Sequence, residues 1–227
     1  MKAFIFCRFG KKLLALIAAA FIVMPLCFAQ EEKKSSWNFD IGVGVTSSFK
    51  FLNTGNKNSN GNSYQLDAFC RGYFDNGFSL FAEGSVGVYV SSGLKLGDSA
   101  GLFFNPLFLF GAGYDFLNKN QKNNLVLSAV IGLDFICYDD EKSAGLETYK
   151  YENFITNFVW GADLLYCHSF KNGVSFYAGC NVLFGVGVLT IRGTKTDRFG
   201  TESTLSTDYD SVSQFSFQPK LGFLYRF

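Results

Sequence analysis

The sequence predicts an all-β fold, an eight-stranded antiparallel up-and-down transmembrane β-barrel preceded by a cleaved signal peptide. Three observations predict it. Apolar and polar side chains alternate along segment after segment, as they must when one face meets lipid and the other a polar interior. Short Asn-Gly turns alternate with longer polar connections. Beyond the leader, no run reaches the roughly eighteen apolar residues that a spanning helix needs. In a bilayer a spanning sheet cannot keep unpaired edges, so alternation of this kind requires closure.

The leader covers 1–29. Lys2, Arg8, Lys11 and Lys12 precede an apolar run over 13–24, which breaks at Pro25 and reaches small Ala29. That is the order of a secretory signal. Cleavage after Ala29 is expected; a lipid anchor on Cys27 is the alternative, although Leu26 stands where a small residue belongs. Residues 30–36 form a short N-terminal segment, and 37–227 form the barrel as one domain. Aromatic residues make up 18% of the chain, Gly numbers 24 and Pro only 3, a balance that favours strands in two environments. The net charge of +1 excludes the basic stripe that nucleic-acid binding demands.

The first strand carries the clearest period. Trp37, Phe39, Ile41, Val43, Val45, Phe49 and Phe51 alternate with Asn38, Asp40, Gly42, Gly44, Thr46, Ser48 and Lys50. Weaker versions follow over 63–74, 78–90, 102–116, 125–138, 154–168, 174–191 and 212–227. Asp75-Asn76-Gly77 and Lys171-Asn172-Gly173 suit tight hairpins, because Asn-Gly tolerates positive φ. The link 117–124 is also short and polar, whereas 53–62, 91–101, 139–153 and 192–211 are expected to be longer loops.

Leu221, Phe223, Tyr225 and terminal Phe227 alternate toward the outside and end the chain on an aromatic. This resembles the C-terminal signal that the outer-membrane assembly machinery recognises. The mature chain as a whole resembles the small eight-stranded barrels of the OmpX, OmpW and OmpA-transmembrane types. The resemblance implies a bacterial outer membrane, with 30–36 and both termini in the periplasm, lipid and the assembly machinery as partners, and a monomer. It carries no internal motif specific to one family, so it implies fold and place rather than activity. A soluble lipocalin-like barrel is the alternative, but its outer face would be polar.

The inward face divides in two. Asp40, Arg71, Glu83, Asp115, Asp163, Lys220 and Arg226 fall near the periplasmic strand ends. Opposite charges in so narrow a lumen should pair, either as a structural plug or as a gated ion path. Higher up, Phe103, Leu107, Leu109, Val130, Ile136, Ile155, Val159, Leu183, Leu189 and Ile191 turn inward. They either pack as a core or line a pocket for a small hydrophobic molecule, which the OmpW-type resemblance would imply. Inward Gly42, Gly44, Gly111, Gly113, Gly185 and Gly187 either leave room for a ligand or ease strand coiling.

Other chemistry is thin. Cys70, Cys137, Cys167 and Cys180 lack metal-ligand spacing, no metal or cofactor is expected, and mostly free thiols are. A Cys167–Cys180 bridge is disfavoured because the two face opposite sides. Barrel hydrolases need a histidine with a hydroxyl or carboxylate partner near the outer surface. The single histidine, His168, lies instead beside a short turn, so no catalytic residue is assigned. Two functions remain. One is a narrow porin-like channel or hydrophobic-molecule binder; the other is a structural or adhesive protein whose loops bind a host surface molecule.

Overall fold

The computed structural model describes residues 38–55, 57–92, 101–117, 122–170 and 173–227. The expected leader, the 30–36 segment, Trp37 and the turn residues Lys171 and Asn172 lie outside them. Eight strands run in chain order: β1 Asn38–Thr54, β2 Lys57–Tyr73, β3 Phe78–Ser92, β4 Gly101–Asp115, β5 Asn123–Ala144, β6 Glu147–Ser169, β7 Val174–Thr196 and β8 Glu202–Arg226. Each pairs antiparallel with its neighbour, and β8 returns to β1, closing the barrel. The Phe227 N–H donates to Phe39 O at 2.9 Å, so the last residue helps seal the seam.

Alternation sorts the faces as the sequence does. Val43, Val45, Phe49, Leu66, Phe110, Ile131, Phe158, Phe184, Leu221 and Phe223 are exposed on the outside, an apolar coat suited to lipid and costly in water. Polar residues of the same strands are buried within. At one rim the turns are tight: Gly77 has a φ of 87°, its N–H donates to Phe74 O, and Asn76 Oδ1 accepts from Phe78 N–H.

The pairing is staggered. A path that follows paired residues from Asp40 passes Arg71, Phe81, Gly111, Val130, Gly161, Leu183 and Ser216 and rejoins β1 at Lys50, ten residues further on. A shear of that size tilts eight strands by roughly 40° and leaves a lumen that side chains can fill.

At the opposite rim the expected loops are largely strand. β5 and β6 stay paired to Ala144↔Glu147, turning through Gly145 at a φ of 64°. β6 and β7 stay paired to Thr148↔Thr196, and β7 and β8 to Thr196↔Glu202. By contrast β1 leaves β8 at Thr54↔Val212. The β5–β8 half therefore rises above the rim as a four-stranded sheet, while β1–β4 end near it.

Candidate functional site

Four layers fill the lumen. Nearest the termini, Arg226 Nε and Nη2 grip Asp40 Oδ1 and Oδ2 at 2.7 and 2.8 Å. Just above, Arg71 Nη2 meets Asp163 Oδ2 at 2.7 Å, and Lys220 Nζ bridges Glu83 Oε2 at 2.6 Å and Asp163 Oδ1 at 2.7 Å. Phe69, Tyr73, Val126, Leu165, Cys167, Tyr177 and Leu224 pack among these charges. Six of the seven expected charged residues thus join in ion pairs. Asp115 does not. It sits level with the β4–β5 turn, where backbone N–H groups need acceptors, and takes those of Leu117 and Leu125 at 3.0 Å each together with Asn124 Nδ2.

The expected apolar lining is buried except for half-buried Ile191, and it is split in two. Leu107, Leu109, Val130, Val159 and Leu183 cluster with Phe81 in the middle of the barrel. Phe103, Ile136 and Leu189 belong to an upper cluster with Leu52, Tyr89, Tyr138, Ile155 and Val212, against which Ile191 packs half-buried.

A polar belt that sequence reasoning missed lies between them. Lys50 Nζ donates to Asp134 Oδ2 at 2.6 Å and to Asn105 Oδ1 at 2.7 Å, with both ion-pair side chains 0% exposed. Asn105 Nδ2 donates to Asp134 Oδ1 and to Phe135 O, Gln214 Nε2 donates to Asp134 Oδ2, and Asn157 Nδ2 donates to Gln214 Oε1. The signal was present, since each of these residues is polar at an inward position; the depth that brings them together was not.

The inward glycines also have an answer. A Cβ on Gly42 would strike the Phe69 ring, one on Gly44 the Tyr177 hydroxyl, and one on Gly111 the Phe81 ring. Their missing side chains make room for the protein's own aromatics rather than for a guest.

Comparison with known proteins places the fold. No family model and no curated protein sequence matches. Among solved structures, the outer membrane protein OprG from Pseudomonas aeruginosa aligns with 85% of this chain and 97% of its own, at 11% identity and a TM-score of 0.54. This is the fold of a small outer-membrane barrel. The outer membrane protein AlkL covers 88% of this chain and 94% of its own at 12% identity and a TM-score of 0.45. The attachment invasion locus protein Ail of Yersinia pestis covers 83% of this chain and 98% of its own at 11% identity and 0.34. Of the three, OprG carries the fold assignment, and at such identity it carries nothing about activity.

The histidine and the cysteines, to which the sequence assigns no chemistry, are placed quietly. His168 Nδ1 lies 2.8 Å from Asn123 Oδ1, and its ring packs edge-on against Phe170. The neighbouring Ser169 Oγ accepts from Ser175 Oγ, so histidine and hydroxyl do not meet. Cys167 and Cys180 hold free thiols, Cys167 opposite Tyr177 and Cys180 opposite Leu164. No group of metal-ligating side chains forms among the described residues.

Above the rim the chemistry changes. Lys195 Nζ pairs with Glu147 Oε1 at 2.8 Å and lies over the Tyr149 ring, with 31% and 39% of the ion-pair side chains exposed. Hydrogen bonds from Lys195 and Tyr149 hold the Glu147 carboxyl below its ordinary range, and the same contact raises Lys195. On the β1 side of β8, residues 202–211 have no strand partner among the described residues. That edge carries Glu202, Asp208 and Asp210 and no Lys, Arg or Pro.

Proposed function

We propose that this chain is a non-enzymatic, monomeric protein of the bacterial outer membrane whose filled barrel serves as a scaffold. Its working part is the sheet that β5–β8 raise above the outer rim. Leu221, Phe223, Tyr225 and Phe227 act as the assembly signal, and the short-turn rim faces the periplasm. The observation that carries this reading is the edge of β8 over 202–211, exposed along nearly all its length. Sheet edges are usually protected by Lys, Pro or a bulge, because unpaired N–H and C=O groups recruit another strand. Here neither Lys nor Pro is present, a register shift opposite Arg192 and Thr194 is the one irregularity along it among the described residues, and Tyr209 stands 68% exposed as an aromatic anchor. The ligand is an extended, basic segment of a host or neighbouring surface protein, added as a further strand. Self-pairing is disfavoured, because the far edge of the raised sheet, on β5, carries Asp139, Asp140 and Glu141 against a single Lys142 and would meet a net like charge.

The test is binding of an alternating Lys-Thr peptide to the refolded mature protein in lipid nanodiscs. Binding is expected to weaken steeply with salt and to vanish in a variant lacking 194–210. Equal binding by that variant would refute the reading.

A second reading has its own observation. The upper apolar cluster, with Phe103, Ile136 and Leu189, lies directly above the Lys50 belt and reaches half-buried Ile191 toward the rim. On that reading a small hydrophobic molecule enters from above and stops at the belt, and Leu107, Leu109, Val130, Val159 and Leu183 beneath it act only as packing. Quenching of intrinsic fluorescence by such a molecule, lost on Leu189→Asp, is the outcome it requires.

A further inference from the structure

Five buried side chains on neighbouring strands hold an oxygen with no hydrogen-bond partner in the protein. They are Asn181 Oδ1 on β7, Gln218 Oε1 on β8, Ser48 Oγ on β1, Gln65 Oε1 on β2 and Ser85 Oγ on β3. These strands are consecutive around the barrel. Asn181 lies opposite Gln218, Ser48 opposite Ser63 (one inward step from Gln65), Gln65 opposite Thr46, and Ser85 opposite Asp67, so the five line one arc of wall. The arc lies between the Lys220–Asp163–Glu83 knot and the Lys50 belt. Ser85 is the most exposed of the five, at 5%.

All three amides are oriented by their NH2 halves. Asn181 Nδ2 donates to Glu83 Oε1 at 3.3 Å, and Gln65 Nε2 donates to Asn105 O at 2.9 Å. Gln218 Nε2 donates to Ser216 Oγ at 3.2 Å. What remains is a set of carbonyl and hydroxyl oxygens, and a buried acceptor left unmet costs roughly 1–3 kcal/mol.

Asp67 adds charge to the same arc. It is 2% exposed and accepts from Thr46 Oγ1 at 3.0 Å and Tyr177 OH at 2.5 Å. Among the described residues no basic side chain lies within ion-pair distance of it. Lys220 is committed to Glu83 and Asp163, Arg71 to Asp163, and Lys50 to Asp134. Those three cations balance those three anions, which leaves the Asp67 carboxylate without a counter-charge. A buried carboxylate in that state is costly, and hard cations are held by carboxylate, amide and hydroxyl oxygens.

We propose that this arc is a binding site for a partly dehydrated monovalent cation of the sodium or potassium class. Asp67 supplies the charge, and the oxygens of Gln65, Ser85, Gln218, Asn181 and Ser48 supply coordination. Water alone would satisfy the oxygens but leave Asp67 unbalanced. A divalent ion would call for further carboxylates.

The test uses the refolded mature protein in detergent, unfolded by urea in sodium, potassium or choline chloride at one ionic strength. One of the two metal ions, at ten times its dissociation constant, is expected to shift the folding equilibrium about tenfold relative to choline. Asp67→Asn is expected to remove that dependence while still folding. Should the variant fail to fold, crystals of the unaltered protein grown with thallium(I) decide the matter through an anomalous peak within the arc. Equal stability in all three salts, or an arc holding water without a thallium peak, overturns the proposal.

Discussion

A lysine and a carboxylate form an ion pair at two heights in this molecule. Lys50–Asp134 lies inside the barrel with no exposure on either partner, braced by Asn105 and Gln214. Lys195–Glu147 lies on the raised sheet with about a third of each partner exposed. Their distances, 2.6 and 2.8 Å, hardly differ. What differs is the solvent. Buried, the pair must be complete, because a lone charge there has nowhere to turn. Exposed, either partner can exchange the other for water, and the pair adds little. The barrel is thus a region in which every partner matters, and the raised sheet one in which side chains are free to serve a binding partner.

The largest effect is expected where that contrast is sharpest. Asp134→Ala leaves Lys50 buried and unpaired and should lower stability by roughly 3–5 kcal/mol, read from the urea midpoint of the refolded barrel. A loss under about 1 kcal/mol would mean that water reaches the belt. Next comes Leu107→Ala in the middle cluster, at about 3 kcal/mol. Overpacking should cost somewhat less: Gly42→Ala drives a methyl into the Phe69 ring, for about 1–3 kcal/mol, and a neutral result would show free space beside that ring. Lys195→Ala on the sheet should leave the midpoint unchanged, and a clear fall would mean that the sheet is part of the barrel's stability. The smallest effect is a pH dependence. Because the Glu147 carboxyl is held below its ordinary range, its pairing is fully present above about pH 4.3 and is lost as pH falls through its lower folded value. An NMR titration of Glu147 that showed no downward displacement would remove this contact.

How much of this was legible follows the same division. Inside the bilayer one face is apolar, so period-2 alternation placed Phe103, Leu107 and Ile136 inward and Val43 and Phe223 outward without error. Above the rim both faces of β5–β8 meet water, the contrast between faces vanishes, and paired strand over 139–153 and 192–211 looked like loop. Depth was the other gap. Inward positions of Lys50 and Asp134 are apparent from parity, but only the ten-residue stagger brings β1 level with β5 so that the two touch. The same absence of depth placed Asp115 among the ion pairs when its level is that of a turn. Nor does a lone glycine say whether the space it leaves is empty; Phe69 fills it from the neighbouring strand and Tyr177 from β7, distant in the chain.

The most direct test of a filled barrel with its function raised above it is conductance of the refolded mature protein in planar bilayers. The expected result is a correctly folded, heat-modifiable barrel that passes no current, with or without small hydrophobic compounds present. Discrete current steps, above all steps blocked by such a compound, would contradict the account and return the function to the lumen.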